Sequence, residues 1–295
     1  MSEQTMDRIA FIGLGTMGSR MSRRLVAAGF EIVGFDPVEA ARAELVAAGG
    51  RAAVTAAEAV SGVGYVILML PSSRVVEAVL GDAALLDALK PGTPVIDMSS
   101  SEPESTRKLA SALAERGIPL LDAPVSGGVK GAEAGTLTIM AGGPEDALAA
   151  VRPILAPLGK VRHVGETGAG HAVKAINNLL AATNLLAAAE GVAAGRRFGV
   201  DPGVIVETIN AASGRSAATE LKFPQNILPE TYDSGFALAL MLKDMRIATE
   251  MARSVGVPAT LGEQAVELWS RAAAELDPAA DQTDIARWVD RSRNP

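Results

Sequence analysis

The stretch Arg8-Ile-Ala-Phe-Ile-Gly-Leu-Gly-Thr-Met-Gly18 decides the fold. An apolar run leads into Gly13, Leu14, Gly15, Thr16, Met17 and Gly18, a G-x-G-x-x-G pattern, and helical periodicity follows from Met17 to Ala28. Strand, glycine turn and helix in that order suit a dinucleotide. The first glycine permits the tight turn, the second lets a pyrophosphate approach the backbone, and the third brings helix and strand close. Alone the pattern is weak; its context strengthens it. Glu31-Ile-Val-Gly-Phe35 reads as a second strand ending at Asp36, eighteen residues past Gly18, where a carboxylate can hold the adenosine ribose hydroxyls. That carboxylate also repels a 2′-phosphate, and Pro37-Val38 follow it in place of Arg or Thr. The reading favours NAD, with NADP possible because Arg42, a turn into the next helix, partly offsets the repulsion.

Outward from this unit the alternation continues. A helix over 38–48 and a short one over 55–60, introduced by a capping Thr, lead to the strand Tyr65–Leu70. Pro94–Asp97, Ile118–Asp122, Leu137–Ala141 and a short segment near Val161–Val164 read as further strands. Short apolar runs between helical stretches imply βαβ units, hence an α/β, doubly wound, mostly parallel sheet of Rossmann type over residues 1–165. From Ala169 onward only helical periodicity is found, over 169–197, 202–212, 215–222, 235–255, 258–275 and 281–289. Residues 166–295 are therefore expected to form an all-α second domain for substrate binding and oligomerisation.

Composition narrows the function classes. The 295 residues are 48% apolar but only 3% aromatic, so Ala, Val, Leu and Ile must build the core. A net charge of −7 with no basic block argues against nucleic acid. The absence of cysteine excludes disulfides, thiol nucleophiles and thiolate metal sites. Residues 1–7 are polar, with no run that could serve as a signal peptide. The helix around Lys174 is about long enough for a bilayer, which needs roughly 20 residues. It also carries His171, Asn177, Asn178, Thr183 and Asn184, a polar load that fits burial in protein and no membrane. A soluble cytoplasmic protein is expected.

Ligands of open parallel sheets bind outside the carboxyl ends of the strands. The loops that qualify are Leu70-Pro-Ser-Ser73, Ser99-Ser-Ser101, Asp122-Ala-Pro-Val-Ser-Gly-Gly128 and Ala141-Gly-Gly143. Ser126, Gly127 and Gly128 stand out because adjacent glycines beside a hydroxyl can form an anion-binding nest. Lys174 is the only formal charge between Thr167 and Ala189, and Asn178, four residues on, projects from the same helical face. Glycines at 168 and 170 would let cofactor or substrate approach the start of this helix. The two histidines, His163 and His171, lack a third ligand, so no metal is expected. Both are read as structural or supporting.

Four motifs in register, Phe11–Gly18, Asp122–Gly128, Gly168-x-Gly-x-x-x-Lys174-x-x-x-Asn178 and Lys243-Asp244, resemble the β-hydroxyacid dehydrogenase family over essentially the whole chain. The resemblance implies an NAD-dependent oxidoreductase of a small 3-hydroxy acid, 3-hydroxyisobutyrate-like, or its semialdehyde. Related readings are a reductase of a tartronate or succinic semialdehyde type and a non-catalytic dinucleotide-binding protein on the same fold. It further implies that Lys174 is the general acid/base, positioned with the substrate by Asn178, and that Ser126, Gly127 and Gly128 hold the substrate. The chemistry agrees: an exposed lysine, with pKa about 10.4, is a poor base near neutrality, and burial disfavours its cation. Leu70, Pro71 and Ser100 correspond to positions lining the dinucleotide. Lys243 and Asp244 would serve the cofactor, although on residues alone they read equally as a solvated helix face. Members are homodimers or homotetramers. Relatives that reduce imines generally replace the lysine, so Lys174 argues against that activity. Ser213-Gly-Arg-Ser-Ala-Ala218 keeps a family start, yet no aromatic follows it, the nearest being Phe223 and Tyr232. A pocket lacking that wall admits a different or more polar substituent than the methyl of 3-hydroxyisobutyrate.

Overall fold

The computed structural model describes residues 8–291; the polar residues 1–7, expected to hold no leader, and residues 292–295 lie outside the described residues. Strand β1 (Arg8–Ile12) forms because its apolar residues face both ways. Ile9 and Phe11 enter one core, while Ala10 and Ile12 enter another. In β4 (Tyr65–Leu68) and β5 (Val95–Asp97) Ile67 and Ile96 join the first core, and Val66 and Val95 the second. This is what a parallel strand covered by helices on both faces requires. Each fully buried Ile or Phe contributes about 1.5–3 kcal/mol of transfer free energy.

The other strands are β2 (Glu31–Phe35), β3 (Arg51–Ala52), β6 (Leu120–Asp122), β7 (Val125–Ser126), β8 (Leu137–Gly142) and β9 (Gly159–Gly165). They assemble in the order β3-β2-β1-β4-β5-β6-β8-β7, with β9 paired to β8. Pairings from β3 through β6 are parallel, β8 runs antiparallel to β6 and β7, and β9 is parallel to β8. The strand order reverses between β1 and β4, which opens a crevice at their carboxyl ends. No local pattern marks β3, whose two residues are exposed, or β7, read as part of a loop.

The connecting helices are α1 (Gly18–Ala27), α2 (Glu39–Ala47), α3 (Ala56–Val60), α4 (Ser73–Leu80), α5 (Ala83–Ala88), α6 (Pro103–Ala114), α7 (Gly128–Ala134) and α8 (Glu145–Leu155). The expected cap of α3 is present, with the Thr55 side chain accepting from the Glu58 N–H.

Two compact units divide the chain after Lys174, inside the long helix α9 (Ala169–Phe198). The second unit is helical: the remainder of α9, then α10 (Pro202–Asn210), α11 (Leu238–Ser254), α12 (Thr260–Glu275) and α13 (Asp284–Arg291). Its core gathers Leu185, Phe223, Met245, Trp269 and Ile285. Ala175 and Leu179 pack on Ile247 and Ala248, so α9 lies close against α11. An α-helix was expected over 215–222, whereas a π-helix spans Ala218–Ile227 and contains Pro224. Pro224 offers no N–H and its ring crowds the preceding turn, conditions that break regular α geometry. On this element burial pushes the Lys222 ammonium below the usual lysine range, opposed in part by the charge of Asp281. Among the described residues no helix is long and apolar enough to cross a membrane.

Candidate active site

The glycine loop is built as its spacing requires. Gly13 has φ +95°, and a Cβ there would lie 2.3 Å from the Met69 carbonyl oxygen, so β1 and the end of β4 meet too closely for a side chain. At Gly18 a Cβ would lie 2.0 Å from the Gly13 oxygen, which ties the start of α1 to the turn. Gly15 is different: a Cβ there would meet nothing within 4 Å. Space stands open over the middle glycine, at the N-terminus of α1, where a pyrophosphate would be held by backbone N–H groups. These residues fit a dinucleotide.

Asp36, at the end of β2, accepts from the Leu14 N–H at 2.8 Å and from the Val38 N–H at 2.9 Å. Its carboxylate thus fixes the glycine loop and keeps lone pairs for ribose hydroxyls. Arg42 is turned back on the backbone, donating to the Asp36 carbonyl at 2.6 Å. The loop after β4 adjoins the glycine loop, since Leu70 Cδ2 comes within 3.0 Å of the Cβ position of Gly13. The Leu70 N–H donates to Ser99 Oγ at 2.9 Å, which draws the loop after β5 to the same place. Pro71 is exposed and Ser100 half-buried beside them.

Beyond β6 the chain turns through β7 to Ser126, Gly127 (φ +132°) and Gly128 (φ +61°). Only glycine adopts this pair of conformations without strain, and a Cβ on Gly128 would meet open space. Asp122, in the same segment, is fully buried and receives the N–H groups of Gly168 at 2.7 Å and His171 at 2.8 Å. The glycines of that helix start differ from expectation. A Cβ on Gly170 would lie 2.2 Å from the Met140 oxygen and 2.8 Å from Asp122 Oδ2, and one on Gly168 would lie 3.1 Å from the Pro103 oxygen. In the direction of their missing side chains they face the protein itself, which lets the helix dock closely there. Lys174, one turn on, is 7% exposed. His171 is buried, with Nδ1 2.8 Å from Thr106 Oγ1 and Nε2 3.1 Å from the Ser99 carbonyl oxygen. The other histidine, His163, holds the Gly143 carbonyl at 2.9 Å. Both imidazoles support loops, as expected.

In the second unit Asn178 is buried and donates from Nδ2 to Asp244 Oδ2 at 2.6 Å, while its Oδ1 accepts from Asn177 at 3.0 Å. Lys243 Nζ stands 3.0 Å from Asp244 Oδ1. The solvated-face reading fails for Asp244, which is 1% exposed. Sequence reasoning named these residues but missed that Asp244 anchors the Asn178 amide and that Asn177 completes the chain. Phe223 is committed to the helical core, and Tyr232 stacks beneath Arg287, whose guanidinium lies 4.0 Å from the ring centre.

Residues 8–168 match the model for the NAD binding domain of 6-phosphogluconate dehydrogenase. Residues 168–289 match that for NAD-binding of NADP-dependent 3-hydroxyisobutyrate dehydrogenase. The chain is 41% identical to 2-(hydroxymethyl)glutarate dehydrogenase of Eubacterium barkeri, covering 89% of this chain and 88% of the relative. The chain belongs to the β-hydroxyacid dehydrogenase family. Another relative within it is the NAD-dependent L-serine dehydrogenase of Pseudomonas aeruginosa, 42% identical over 90% of this chain and 91% of the relative. A solved 3-hydroxyisobutyrate dehydrogenase of Mycobacterium tuberculosis with L-serine superposes with a TM-score of 0.90 at 36% identity, covering 96% of this chain and 99% of that one. The β-hydroxyacid dehydrogenase assignment makes the chain an oxidoreductase of hydroxy acids that uses NAD, on the Rossmann and helical architecture described above.

Proposed function

We propose that the chain oxidises the primary alcohol of a small 3-hydroxy acid of the form HOCH2–CH(R)–COO⁻ to its semialdehyde, with NAD as hydride acceptor. The observation that carries the reading is the burial of Lys174 one turn after a helix start fixed by Asp122. Burial takes the lysine side chain out of water and disfavours its cation, the condition under which an amine can act as a base near neutrality. As general base, neutral Lys174 Nζ takes the hydroxyl proton while the carbinol C–H bond breaks and the C=O bond forms. Asn178, on the same face of α9, orients the hydroxyl and the lysine, with its amide held by Asp244. The backbone N–H groups at Gly127 and Gly128 and the Ser126 hydroxyl receive the substrate carboxylate. The nicotinamide, when bound, supplies the site to which the carbinol hydrogen departs as hydride. Lys243 and Asp244 are proposed as cofactor contacts, with Leu70, Pro71 and Ser100.

The substrates named for the relatives support the class. 2-(Hydroxymethyl)glutarate, L-serine and 3-hydroxyisobutyrate share the hydroxymethyl group beside a carbon that bears the carboxylate, and differ in R. The sequence from Ser213 to Ala218 lacks an aromatic wall, and Phe223 and Tyr232 are engaged elsewhere, which favours a polar R over methyl. Asp36 favours NAD over NADP. A cytoplasmic location and a homo-oligomeric state belong to the same reading, the latter supported by Val173, Ile176 and Leu180, an exposed apolar row on α9.

The test is NADH formation by wild type and Lys174→Ala across these three acids, each with NAD and NADP. The reading expects turnover with NAD and a loss on the order of 10²–10⁴ in Lys174→Ala, the range of general acid/base catalysis. NADH binding without turnover of any of them would overturn the proposed substrate class.

A further inference from the structure

We infer that Asp122 is a positioning residue for Lys174: its carboxylate caps the helix start and thereby sets where the lysine stands relative to the Ser126–Gly128 loop. This rests on the function proposed above.

A helix begins with four N–H groups that have no partner within it, and a carboxylate placed there satisfies them and complements the helix dipole. Usually the capping side chain comes from the residue just before the helix. Here it comes from a strand 46 residues earlier, and one carboxylate takes two donors, Gly168 N–H on Oδ1 and His171 N–H on Oδ2. The Ala169 N–H is met separately by the Glu166 carbonyl. Two bonds to one rigid group fix rotation of the first turn as well as its position, because a bidentate contact does not swivel about a single axis.

The niche around the carboxylate is cut to fit. A Cβ on Gly142 would lie 2.5 Å from Asp122 Oδ1, and one on Gly170 would lie 2.8 Å from Oδ2, so glycines wall both sides. Asp122 is also the only residue through which β6 pairs with β8, opposite Gly142. Four residues later the same segment reaches Ser126. One side chain therefore references the helix that bears the lysine to the loop proposed to hold the substrate. His171 adds a second anchor three residues before Lys174, through Thr106 on α6 and the Ser99 carbonyl. Ser99 in turn receives the Leu70 N–H from the cofactor loop. A carbonyl oxygen only accepts, so His171 Nε2 carries a proton.

Asp122→Asn keeps size and shape but offers an NH2 where one backbone N–H needs an acceptor, so one leg of the cap becomes a donor–donor contact. The test is a double-mutant cycle with Lys174→Ala, with kcat expressed per NADH-binding site. If Asp122 acts through Lys174, Asp122→Asn lowers kcat at least tenfold in the wild-type background, leaves KM within threefold, and changes kcat less than twofold in the Lys174→Ala background. A role confined to holding the fold together would multiply, giving the same loss in both backgrounds, and that result overturns the inference. So does an Asp122→Asn enzyme within twofold of wild type. Should Asp122→Asn not bind NADH, Gly170→Ala, which keeps the carboxylate and wedges the helix off β8, replaces it in the cycle. Failure of both to bind NADH counts against positioning. Should wild type turn over no hydroxy acid, the functional reading fails by itself, and amide hydrogen exchange decides the cap. At least tenfold faster exchange at residues 169–174 in Asp122→Asn, with residues 180–198 unchanged, supports it, and unchanged exchange overturns it.

Discussion

Two alanine substitutions in one loop should have opposite consequences. Gly15 lacks a positive φ, and a Cβ on it meets nothing within 4 Å. Gly15→Ala should therefore fold without strain, and even gain about 0.4–1 kcal/mol from reduced freedom of the unfolded chain. The same methyl group projects into the open space where the pyrophosphate is proposed to cross. Holding the phosphates off the loop N–H groups should raise the NADH dissociation constant at least tenfold, about 1.4 kcal/mol. Gly18→Ala drives a Cβ to 2.0 Å from the Gly13 oxygen, a backbone atom that yields only if α1 shifts. Overpacking of this kind costs about 1–3 kcal/mol, which lowers the melting temperature on the order of 2–12 °C in a protein of this size. Thermal unfolding without ligand and fluorescence titration with NADH separate the two. If Gly15→Ala binds NADH within twofold of wild type, the pyrophosphate does not cross that glycine. If it loses as much melting temperature as Gly18→Ala, the account of the loop as open above and packed below is wrong.

Other outcomes follow from the same structure. Asp36→Ala should weaken NADH by about 1.5–3 kcal/mol, the worth of hydrogen bonds to a charged group. It should shift the NADPH-to-NADH affinity ratio at least tenfold toward NADPH, and an unchanged ratio in titrations removes Asp36 from cofactor choice. Lys222→Met should raise the melting temperature at neutral pH, since burial disfavours the ammonium and Asp281 is already met by Ser234, Gly235, Phe236 and Thr283. The folded state gives up this proton before the unfolded state, whose lysine titrates near 10.5, so wild-type stability rises with pH through that window and the advantage of Lys222→Met narrows. A margin that widens with pH contradicts the sign. Ile176→Glu combined with Leu180→Glu should lower the solution mass measured by light scattering, and an unchanged mass above that of one chain would place the subunit contact elsewhere.

What the sequence made legible was what local pattern encodes. Strands such as Arg8–Ile12 announce themselves because both faces are buried, leaving an uninterrupted apolar run that stops at a glycine. Strand β3, Arg51–Ala52, is two exposed residues and has no such signal. The π-helix stayed hidden because Pro224 reads as a helix end, not as the cause of a wider turn. At the site, Lys174 was conspicuous as a lone charge among apolar residues. Its supports were not, because the partners of Asp122 are backbone N–H groups 46 and 49 residues later, and Asn178 meets Asp244 across 66 residues. Gly168 and Gly170 misled for a related reason. Glycine reports close approach, and nothing in the spacing tells whether a ligand or the protein's own backbone comes close.

In the proposed reaction Lys174 supplies the base for alcohol oxidation. Truncation to alanine leaves a space at a buried position, and a small primary amine can enter it and take up the same proton. Lys174→Ala should therefore show its deficit on the order of 10²–10⁴ with L-serine or a related acid and recover activity in proportion to the concentration of free methylamine base. Full activity of Lys174→Ala without amine would contradict the account.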